Sequence, residues 1–427
     1  MANPVGLQCI RCGAEYEVGP IYKGCTRCLE RGLPTNVKVV IDGDAIKRSF
    51  DPRSLEGRPD SMWRYSEFLP VELERAVTLG EGLTPLTHLP RLGRRLGLSK
   101  LYVKNESMNP TWSFKDRLAS SAVSFAPSLG AKVITGSSSG NAGAATAAYA
   151  ARAGMPCVMF TTQQFPTAMK VQMGVYGTKL VAVPTIYDRW KLVEAGVDQF
   201  GWFPVTVFVY PLVGSNTYGI EGYKTIGYEI VDQLGRVPDK VVMPVGAGDA
   251  FFGAWKGFQE YRELGYADDV PTMLAGEVFG PLENALAKDL DHVEETHRAP
   301  TVAISVGMHT STYQALSVLR ESKGAARSAT DDEMISMQKQ LAADEGIYAE
   351  ASSVLSLAVI PRMIEAGAID PDETVVAFLT STGLKDPEMT AAHLPEIPLI
   401  EPEVDQLVAL LRDAYDFDVD EPALAVA

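Results

Sequence analysis

Lys115 lies where the sequence favours a lysine that loses its proton easily. Residues 109–111, Asn-Pro-Thr, predict a turn, and the Ala-rich run that follows predicts a helix with Lys115 in its first turn. The positive end of the helix dipole disfavours a protonated amine there, and partial burial beside Phe114 acts in the same direction. A neutral amine can form an imine with a carbonyl compound. Taken alone, the same pattern is more typical of a solvated lysine at a helix start.

Two other segments place small residues and glycines between a strand and a helix. Residues 135–143 are Thr-Gly-Ser-Ser-Ser-Gly-Asn-Ala-Gly, and backbone N–H groups exposed at a helix start suit a carboxylate. Residues 244–253 are Pro-Val-Gly-Ala-Gly-Asp-Ala-Phe-Phe-Gly, which leaves room for the backbone to surround a phosphate. Each segment is equally compatible with an ordinary strand-to-helix turn.

The glycine loop at 244–253 is also loosely similar to a dinucleotide-binding fingerprint. That fingerprint expects an acidic residue about 20 positions further on, after the next strand. The nearest candidate, Glu277, lies about 30 positions on. The spacing therefore argues against a dinucleotide site.

The elements that must position these segments alternate in a regular order. From about residue 100 onward, short runs typical of strands alternate with Ala-rich runs of helical periodicity. The strand-like runs are residues 101–103, 132–134, 157–160, 179–183, 241–243 and 375–378. This order predicts an α/β fold with a mostly parallel sheet. Residues 404–415 predict one further helix with an apolar face.

The composition is that of a globular, acidic chain. Its 427 residues are 46% hydrophobic, and 38 basic against 54 acidic side chains give a net charge of -16. This charge repels nucleic acids and anionic membrane surfaces, which leaves a small molecule as the expected partner. The sequence has no signal-like start and no run of about 20 apolar residues. These features predict a cytoplasmic protein with no nucleic-acid or membrane partner.

Four of the five cysteines form two closely spaced pairs near the start of the chain. Cys9 and Cys12, then Cys25 and Cys28, are each separated by two residues. This spacing is typical of a zinc ribbon, in which four thiolates hold a structural zinc ion. The alternative is a knuckle held by packing alone. Cys157 lies in an apolar strand pattern and is expected in the core rather than as a nucleophile.

Five motifs occur in an order that resembles one enzyme family over nearly the whole chain. They are residues 80–86 (Gly-Glu-Gly-Leu-Thr-Pro-Leu), residues 109–117 (Asn-Pro-Thr-Trp-Ser-Phe-Lys-Asp-Arg), the Ser-Gly-Asn of residues 139–141, the glycine loop, and residues 383–387 (Gly-Leu-Lys-Asp-Pro). This order resembles that of the threonine synthases, which are pyridoxal-phosphate enzymes of fold type II. Residues 62–65 and 220–225 are also similar to that family, as is the cysteine knuckle.

The resemblance implies an architecture and a cofactor. Fold type II enzymes have two open, twisted α/β domains with pyridoxal 5′-phosphate in the cleft between them. The implied division is a zinc-ribbon-like knuckle at 1–35, a large cofactor-binding domain at 36–119 and 231–427, and a small mobile domain at 120–230. Such enzymes commonly form homodimers, although the sequence itself does not fix the oligomeric state.

The resemblance also implies roles for individual residues. Lys115, with Phe114 beside it, would hold the cofactor as a Schiff base and later transfer protons. Asn141 would bind the cofactor's 3′-oxygen, and Thr380 would face its ring nitrogen. The remaining residues implied in binding are Gly246, Ala247, Gly248, Asp249 and Ala250 for the cofactor phosphate, and Ser138, Ser139 and Ala142 for the carboxylate end of an amino-acid substrate. A neutral hydroxyl opposite the ring nitrogen implies a gentler electron sink than a carboxylate would give.

The substrate side departs from the family pattern. Ala142 stands where threonine synthases usually have a threonine, and residues 305–309, Ser-Val-Gly-Met-His, replace a run that contains an arginine and an asparagine. Trp112 replaces a small residue, and Ala351 replaces a proline. These changes remove donors that a phosphate dianion needs, unless Arg117, Lys104 or Lys224 compensates. Of the histidines, only His309 is a candidate for the site.

The sequence is therefore compatible with three functions. The altered residues favour a lyase or synthase that performs β- or γ-elimination or replacement on another small amino acid, as cysteate synthase or an amino-acid ammonia-lyase does. The alternative is authentic threonine synthase, which converts O-phosphohomoserine and water into threonine and phosphate. A catalytically silent homologue that only binds the cofactor is the third. The sequence predicts weak activity on O-phosphohomoserine.

Overall fold

Three β-sheets contain all the named strands of the computed structural model, which describes residues 4–419. The strands are β1 (Gly6–Cys9), β2 (Glu15–Tyr16), β3 (Val37–Val40), β4 (Leu86–His88), β5 (Leu101–Asn105), β6 (Ile134–Ser137), β7 (Cys157–Thr161), β8 (Lys179–Ala182), β9 (Phe203–Pro204), β10 (Lys240–Pro244), β11 (Thr272–Glu277), β12 (Ala326–Ser328) and β13 (Val375–Leu379).

Helices follow most of the strands, as in other α/β proteins. They are α1 (Thr26–Leu29), α2 (Gly43–Ser49), α3 (Pro90–Leu96), α4 (Lys115–Phe125), α5 (Asn141–Arg152), α6 (Thr167–Val175), α7 (Ile186–Phe200), α8 (Thr217–Leu234), α9 (Asp249–Leu264), α10 (Pro281–Ala287), α11 (Tyr313–Glu321), α12 (Asp331–Glu345), α13 (Ala351–Ala358), α14 (Ile360–Glu365), α15 (Pro387–Ala391) and α16 (Val404–Tyr415).

The largest sheet has six strands in the order β12-β11-β10-β13-β5-β4. Its strands run parallel except β4, which pairs antiparallel with β5. The carboxyl ends of the neighbouring strands β10, β13 and β5 therefore lie at one edge. Because ligands of parallel α/β sheets bind at that edge, the segments that leave these three strands are the natural place for a site.

A second parallel sheet has four strands in the order β8-β7-β6-β9. It is built from residues 134–204, whereas the six-stranded sheet takes strands from both sides of that stretch. The small third sheet, β2-β1-β3, is antiparallel. It lies in the N-terminal segment that carries the four cysteines and ends at Val40. The α/β class and its mostly parallel sheets confirm the sequence prediction, while the mobility assigned to residues 120–230 stays a prediction.

Helix α4, which begins with Lys115, packs closely against α8. The close approach depends on Gly222, since a Cβ atom at this position would lie 2.0 Å from the backbone oxygen of Arg117. Gly257 has the same function between α9 and α8, where a Cβ would lie 2.2 Å from the oxygen of Lys224. Tight helix packing of this kind fixes the start of α4 relative to the sheets.

The chain divides into two compact units, one of residues 4–386 and one that includes residues 387–419. The first unit contains the three sheets, and the second contains α15 and α16. Helix α16 has the bounds predicted from the sequence. None of the helices within residues 4–419 combines the length and the apolar character that a membrane crossing requires.

Candidate active site

Hydrogen bonds to neighbouring segments hold the turn before Lys115 in place. The Asp116 carboxylate accepts hydrogen bonds from the N–H of Thr111, at 2.6 Å, and from the Thr111 hydroxyl. The N–H of Phe114 donates to the backbone oxygen of Thr380 at 3.0 Å. Because Thr380 directly follows β13, this contact fixes the start of α4 at the carboxyl edge of the six-stranded sheet.

Lys115 has the apolar surroundings that the sequence suggests. Its Nζ lies 4.3 Å from the centre of the Phe114 ring and 5.7 Å from that of Tyr223. Burial lowers the pKa of Lys115, and the negative charges of Asp249 and Glu350 oppose that shift. The direction matches the neutral amine that imine formation needs, with burial as the main cause.

Asn141 and Thr380 both form hydrogen bonds with Glu350. The sequence did not predict Glu350 as a site residue. The Nδ2 of Asn141 donates to the two carboxylate oxygens of Glu350 at 3.2 and 3.3 Å. The Thr380 hydroxyl donates to the same carboxylate at 3.1 Å and lies 2.6 Å from the Ser353 hydroxyl. One buried acid thus contacts both predicted cofactor residues, Asn141 at the start of α5 and Thr380 directly after β13.

Burial raises the pKa of Glu350 to about 7, although hydrogen bonds from Asn141 and Thr380 act in the opposite direction. The family resemblance implies that Thr380 is a neutral partner for the nitrogen of the cofactor ring. The structure adds that the Thr380 hydroxyl is itself hydrogen-bonded to the Glu350 carboxylate. The only sequence signal was the position of Glu350 immediately before the small-residue run of α13.

The glycine loop lies between β10 and α9, as predicted. Gly248 has a φ of +84°, and a Cβ there would lie 2.4 Å from the Cβ of Ala315, so no other residue fits. The Asp249 carboxylate accepts from the N–H of Ser215 at 3.0 Å and from its hydroxyl at 2.6 Å. The side chain of Asp249 therefore braces the loop, while the backbone of residues 246–250 forms the start of a helix suited to a phosphate.

The predicted carboxylate loop lies between β6 and α5. The Ser138 hydroxyl accepts from the N–H of Gly140 at 3.2 Å, and Ala142, in the first turn of α5, is half-buried. The Ser139 hydroxyl lies 2.7 Å from that of Thr161 and accepts a hydrogen bond from Arg189 at 2.9 Å. The Ser139 side chain is therefore engaged by the protein.

The altered segment 305–309 lies against the glycine loop. A Cβ at Gly246 would lie 3.2 Å from the sulfur of Met308, which places an apolar group beside the phosphate cradle. The Nε2 of His309 lies 3.7 Å from the Glu295 carboxylate. Trp112 has a φ of +65° and is 54% exposed, so it borders the turn before Lys115 without being part of the core.

The three cations suggested as compensation are already paired. The Arg117 guanidinium donates to Glu106 at 2.7 Å and to Glu229 at 2.6 Å, and Lys104 lies 2.7 Å from Glu229. All four side chains are fully buried. A second buried cluster pairs Lys224 with Glu221 at 2.7 Å and with Glu260 at 3.1 Å. These cations stabilise the packing of α4, α8 and α9 and are not free to bind a substrate.

The four N-terminal cysteines form a cluster that fits a metal ion. Their sulfur atoms all lie within 4.8 Å of one another, and two of the sulfur pairs, Cys9 with Cys28 and Cys12 with Cys25, are 3.7 Å apart. Zinc–sulfur bonds of about 2.3 Å in a tetrahedron give sulfur separations of about 3.8 Å. The donor set and its geometry therefore fit zinc. Cys157 is buried in β7, as its apolar pattern predicts.

Comparison with known proteins defines the class. Residues 77–381 match the family model described as "Pyridoxal-phosphate dependent enzyme". Among solved structures, maize serine racemase has a TM-score of 0.62 at 18% identity, over 73% of this chain and 91% of that chain. Processed threonine deaminase isoform 2 from Solanum lycopersicum has a TM-score of 0.59 at 19% identity, over 70% of this chain and 79% of that chain. These likenesses show the fold, that of type II pyridoxal-phosphate enzymes.

Relatives of known sequence narrow the class further. The chain is 37% identical to threonine synthase of Methanosarcina acetivorans, over 94% of this chain and 97% of the relative. It is 35% identical to threonine synthase of Methanocaldococcus jannaschii, over 95% of this chain and 99% of the relative. The chain therefore belongs to the pyridoxal-phosphate-dependent enzyme family and, within it, to the group that contains the threonine synthases.

The residues around Lys115 fit pyridoxal phosphate. Two buried hydroxyls near Lys115, Ser113 Oγ and Tyr223 OH, have no hydrogen-bond partner among the described residues. Such orphaned groups are costly unless a ligand or water completes them. The glycine loop offers a cradle that a Cβ at Gly248 would fill, and Lys115 offers an amine. The chain therefore has the donors and the space that the family's cofactor requires.

Proposed function

We propose that this chain is a threonine synthase, which converts O-phosphohomoserine and water into threonine and phosphate. The observation that carries this proposal is the similarity to threonine synthases along 94–95% of the chain, at 35–37% identity. The comparisons support this alternative better than the different substrate that the altered residues favour. The sequence supports the same chemistry, since the motifs implied in cofactor binding, around Lys115, Asn141, the glycine loop and Thr380, are all present.

The reaction breaks one carbon–oxygen bond and forms another. The bond from the γ-carbon to the phosphate oxygen breaks, and phosphate leaves with the electron pair. The oxygen of water becomes the hydroxyl on the β-carbon, and a proton is added to the γ-carbon to complete a methyl group. Proton movements at the α-, β- and γ-carbons therefore need a base that can be reused.

Lys115 is proposed as that base. Pyridoxal phosphate, when bound, supplies an electron sink for negative charge at the substrate's α-carbon. A lysine Nζ with a lowered pKa can accept a proton and return it near neutral pH. The rings of Phe114 and Tyr223 limit its solvation, and the contact between Phe114 and Thr380 keeps it at the sheet edge.

The other predicted residues would bind and orient the cofactor and the substrate. The backbone of Gly246, Ala247, Gly248, Asp249 and Ala250 would hold the cofactor's phosphate at the start of α9. Asn141 and Thr380 would contact its ring, with Glu350 fixing both side chains. The start of α5, with Ser138, Ser139 and Ala142, would receive the substrate's carboxylate through backbone N–H groups.

A second candidate rests on a specific observation. Ala142 and Met308 present methyl and thioether groups where donors to a phosphate are expected, and Arg117, Lys104 and Lys224 are consumed in ion pairs. An elimination or replacement enzyme acting on a small amino acid without a phosphate, such as an ammonia-lyase, would have less need of those donors.

The N-terminal cluster is proposed as a structural zinc site. Cys9, Cys12, Cys25 and Cys28 would supply four thiolates, and the N–H groups of Arg11 and Cys12 already donate to the Cys9 sulfur at 3.4 Å. Reduced thiols of this kind persist in the cytoplasm, which is the proposed location. A homodimer is the assembly that enzymes of this type commonly form.

A panel of amino acids tests the function. Purified enzyme with bound cofactor is mixed with O-phosphohomoserine, O-phosphoserine, serine and homoserine, and the visible spectrum and products are recorded. We expect a spectral shift and threonine formation with O-phosphohomoserine. Efficient turnover of another member of the panel, with no threonine from O-phosphohomoserine, would replace the proposal with the second candidate.

A further inference from the structure

Lys385 is a buried cation that makes no direct ion pair within the described residues. It lies in the turn after β13 and is 1% exposed. Its Nζ donates a hydrogen bond to the side-chain oxygen of Gln172, and no carboxylate forms an ion pair with it among the described residues. The charges of Asp116 and Glu350 act on it only from a distance. A buried charge without a direct partner is unfavourable, and an anionic ligand can supply that partner. Burial lowers the pKa of Lys385 to about 8.

Gln172 adds an independent sign of a missing ligand. This α6 residue is 8% exposed, and its Nε2 has no hydrogen-bond partner in the described part of the chain. The oxygen of the same amide is used by Lys385. A buried amide nitrogen and a buried ammonium therefore lie side by side, and both are donors. Such a pair is complementary to an anion that accepts several hydrogen bonds.

The pair adjoins the proposed reaction centre. Lys385 Nζ lies 5.7 Å from the centre of the Trp112 ring, three residues before Lys115. The charge of Glu350, which binds Asn141 and Thr380, acts on both Lys115 and Lys385.

On its other side, the pair adjoins the carboxylate loop. Met173, the neighbour of Gln172, packs so closely on Gly143 that a Cβ there would lie 2.6 Å from its sulfur. The pair therefore lies between the carboxylate loop and the turn before Lys115.

We propose that Lys385 and Gln172 bind the phosphate group of the substrate and stabilise it as it leaves. The inference rests on the proposed function, because it assigns the phosphorylated end of that substrate. A phosphate dianion needs a cation and several directed donors, and this pair provides both where the family's usual donors are replaced. It also explains how the enzyme can act on a phosphorylated amino acid although Arg117, Lys104 and Lys224 are consumed in ion pairs.

Arg189 is the competing cation. It is 9% exposed, its Nε has no partner within the described residues, and one of its NH groups donates to Ser139. Arg189 therefore lies on the carboxylate loop, whereas Lys385 lies beside the turn before Lys115. Replacing each cation separately distinguishes the two locations.

The test measures binding of inorganic phosphate by titration calorimetry. The enzyme carries its cofactor, so that the glycine loop is already filled. We compare the wild type with Lys385→Met, Gln172→Glu and Arg189→Met, and use Lys132→Met as the control for loss of an exposed charge. Gln172→Glu is nearly isosteric and should pair with Lys385, so it tests the site even if Lys385→Met folds poorly. The visible spectrum of each variant reports whether the cofactor is held normally.

We expect Lys385→Met and Gln172→Glu to weaken phosphate binding by at least about tenfold, as loss of a charge-assisted contact predicts, while Arg189→Met and Lys132→Met bind as the wild type does. Absence of phosphate binding in the wild type, unchanged binding in Lys385→Met, or loss only in Arg189→Met would overturn the inference. Turnover of O-phosphohomoserine is measured in parallel. Phosphate binding through Lys385 without threonine formation would refute the proposed function but leave the phosphate site standing.

Discussion

The side-chain nitrogen of Asn141 donates to the carboxylate of Glu350, with distances of 3.2 and 3.3 Å to its two oxygens. The two residues come from distant parts of the chain, since Asn141 begins the helix after β6 and Glu350 immediately precedes α13. The same carboxylate accepts from Thr380. A single acid thus sets the orientation of two side chains proposed to contact the cofactor, and it does so in surroundings that disfavour its charge.

Replacing Glu350 with Gln should change stability in a pH-dependent way. Burial raises the pKa of Glu350 to about 7 in the folded state, against about 4.3 for an unfolded chain. The wild type therefore loses stability as the pH rises from about 4.3 to 7 and loses no more above that. Glu350→Gln should melt close to the wild type at pH 5 and be more stable by about 1–3 kcal/mol at pH 8. Thermal melts at both pH values measure this, and an equal difference at both would contradict the assigned pKa shift.

Replacing Lys115 with Ala should remove the bond between protein and cofactor without unfolding the chain. The side chain is only partly buried and has no ion pair among the described residues, so its loss costs little packing. We expect the visible absorbance of the Schiff base to disappear and turnover to fall by orders of magnitude. Circular dichroism and Lys132→Ala, which changes an exposed lysine, serve as controls. An unaltered visible spectrum in Lys115→Ala would exclude the assignment.

Replacing Arg117 with Met should destabilise the fold. Its guanidinium is the shared partner of Glu106 and Glu229, all fully buried, and removal of one member of a buried pair typically costs about 3–5 kcal/mol. Urea unfolding measures the loss. Arg53→Met, which removes an 88% exposed side chain, should change stability by less than about 0.5 kcal/mol. If Arg117→Met weakened phosphate binding but left stability unchanged, Arg117 would be a substrate residue rather than a structural one.

The fold and the positions of Lys115, Thr380 and the glycine loop follow from local sequence, whereas the roles proposed for these residues come from the family resemblance. Residues 375–378 predict β13 because an apolar run ends there in a loop, and Lys115 stands out because a turn and a helix start surround it. Parallel strands then bring the segments after β10, β13 and β5 to one edge, so the proximity of Lys115, Thr380 and the glycine loop needs no further information.

The polar partners could not be predicted in the same way. Lys104, Lys224 and Lys385 all lie in segments of mixed composition. Only the packing of distant elements decides that, within the described residues, the first two form ion pairs and the third does not. Glu350 likewise gains its role from Asn141, which is 209 positions away.

The cluster of four N-terminal cysteines predicts that the purified protein contains zinc. If Cys9, Cys12, Cys25 and Cys28 hold zinc, metal analysis should find about one ion per chain, and a chelator should loosen the N-terminal sheet without removing the cofactor. Proteolysis of the first 40 residues before and after chelation reports the loosening, with the visible spectrum as the control. Purified protein with no metal and four titratable thiols in this segment would count decisively against the site.

The most direct measurement of the central claim is turnover of O-phosphohomoserine in water enriched with oxygen-18. We expect threonine and phosphate in equal amounts, with the label in the threonine hydroxyl and none in the phosphate, because the carbon–oxygen bond breaks and water supplies the new oxygen. The same assay with Lys115→Ala should give neither product. Label in the phosphate, or no threonine from enzyme whose visible spectrum shows bound cofactor, would contradict the claim that this chain is a threonine synthase.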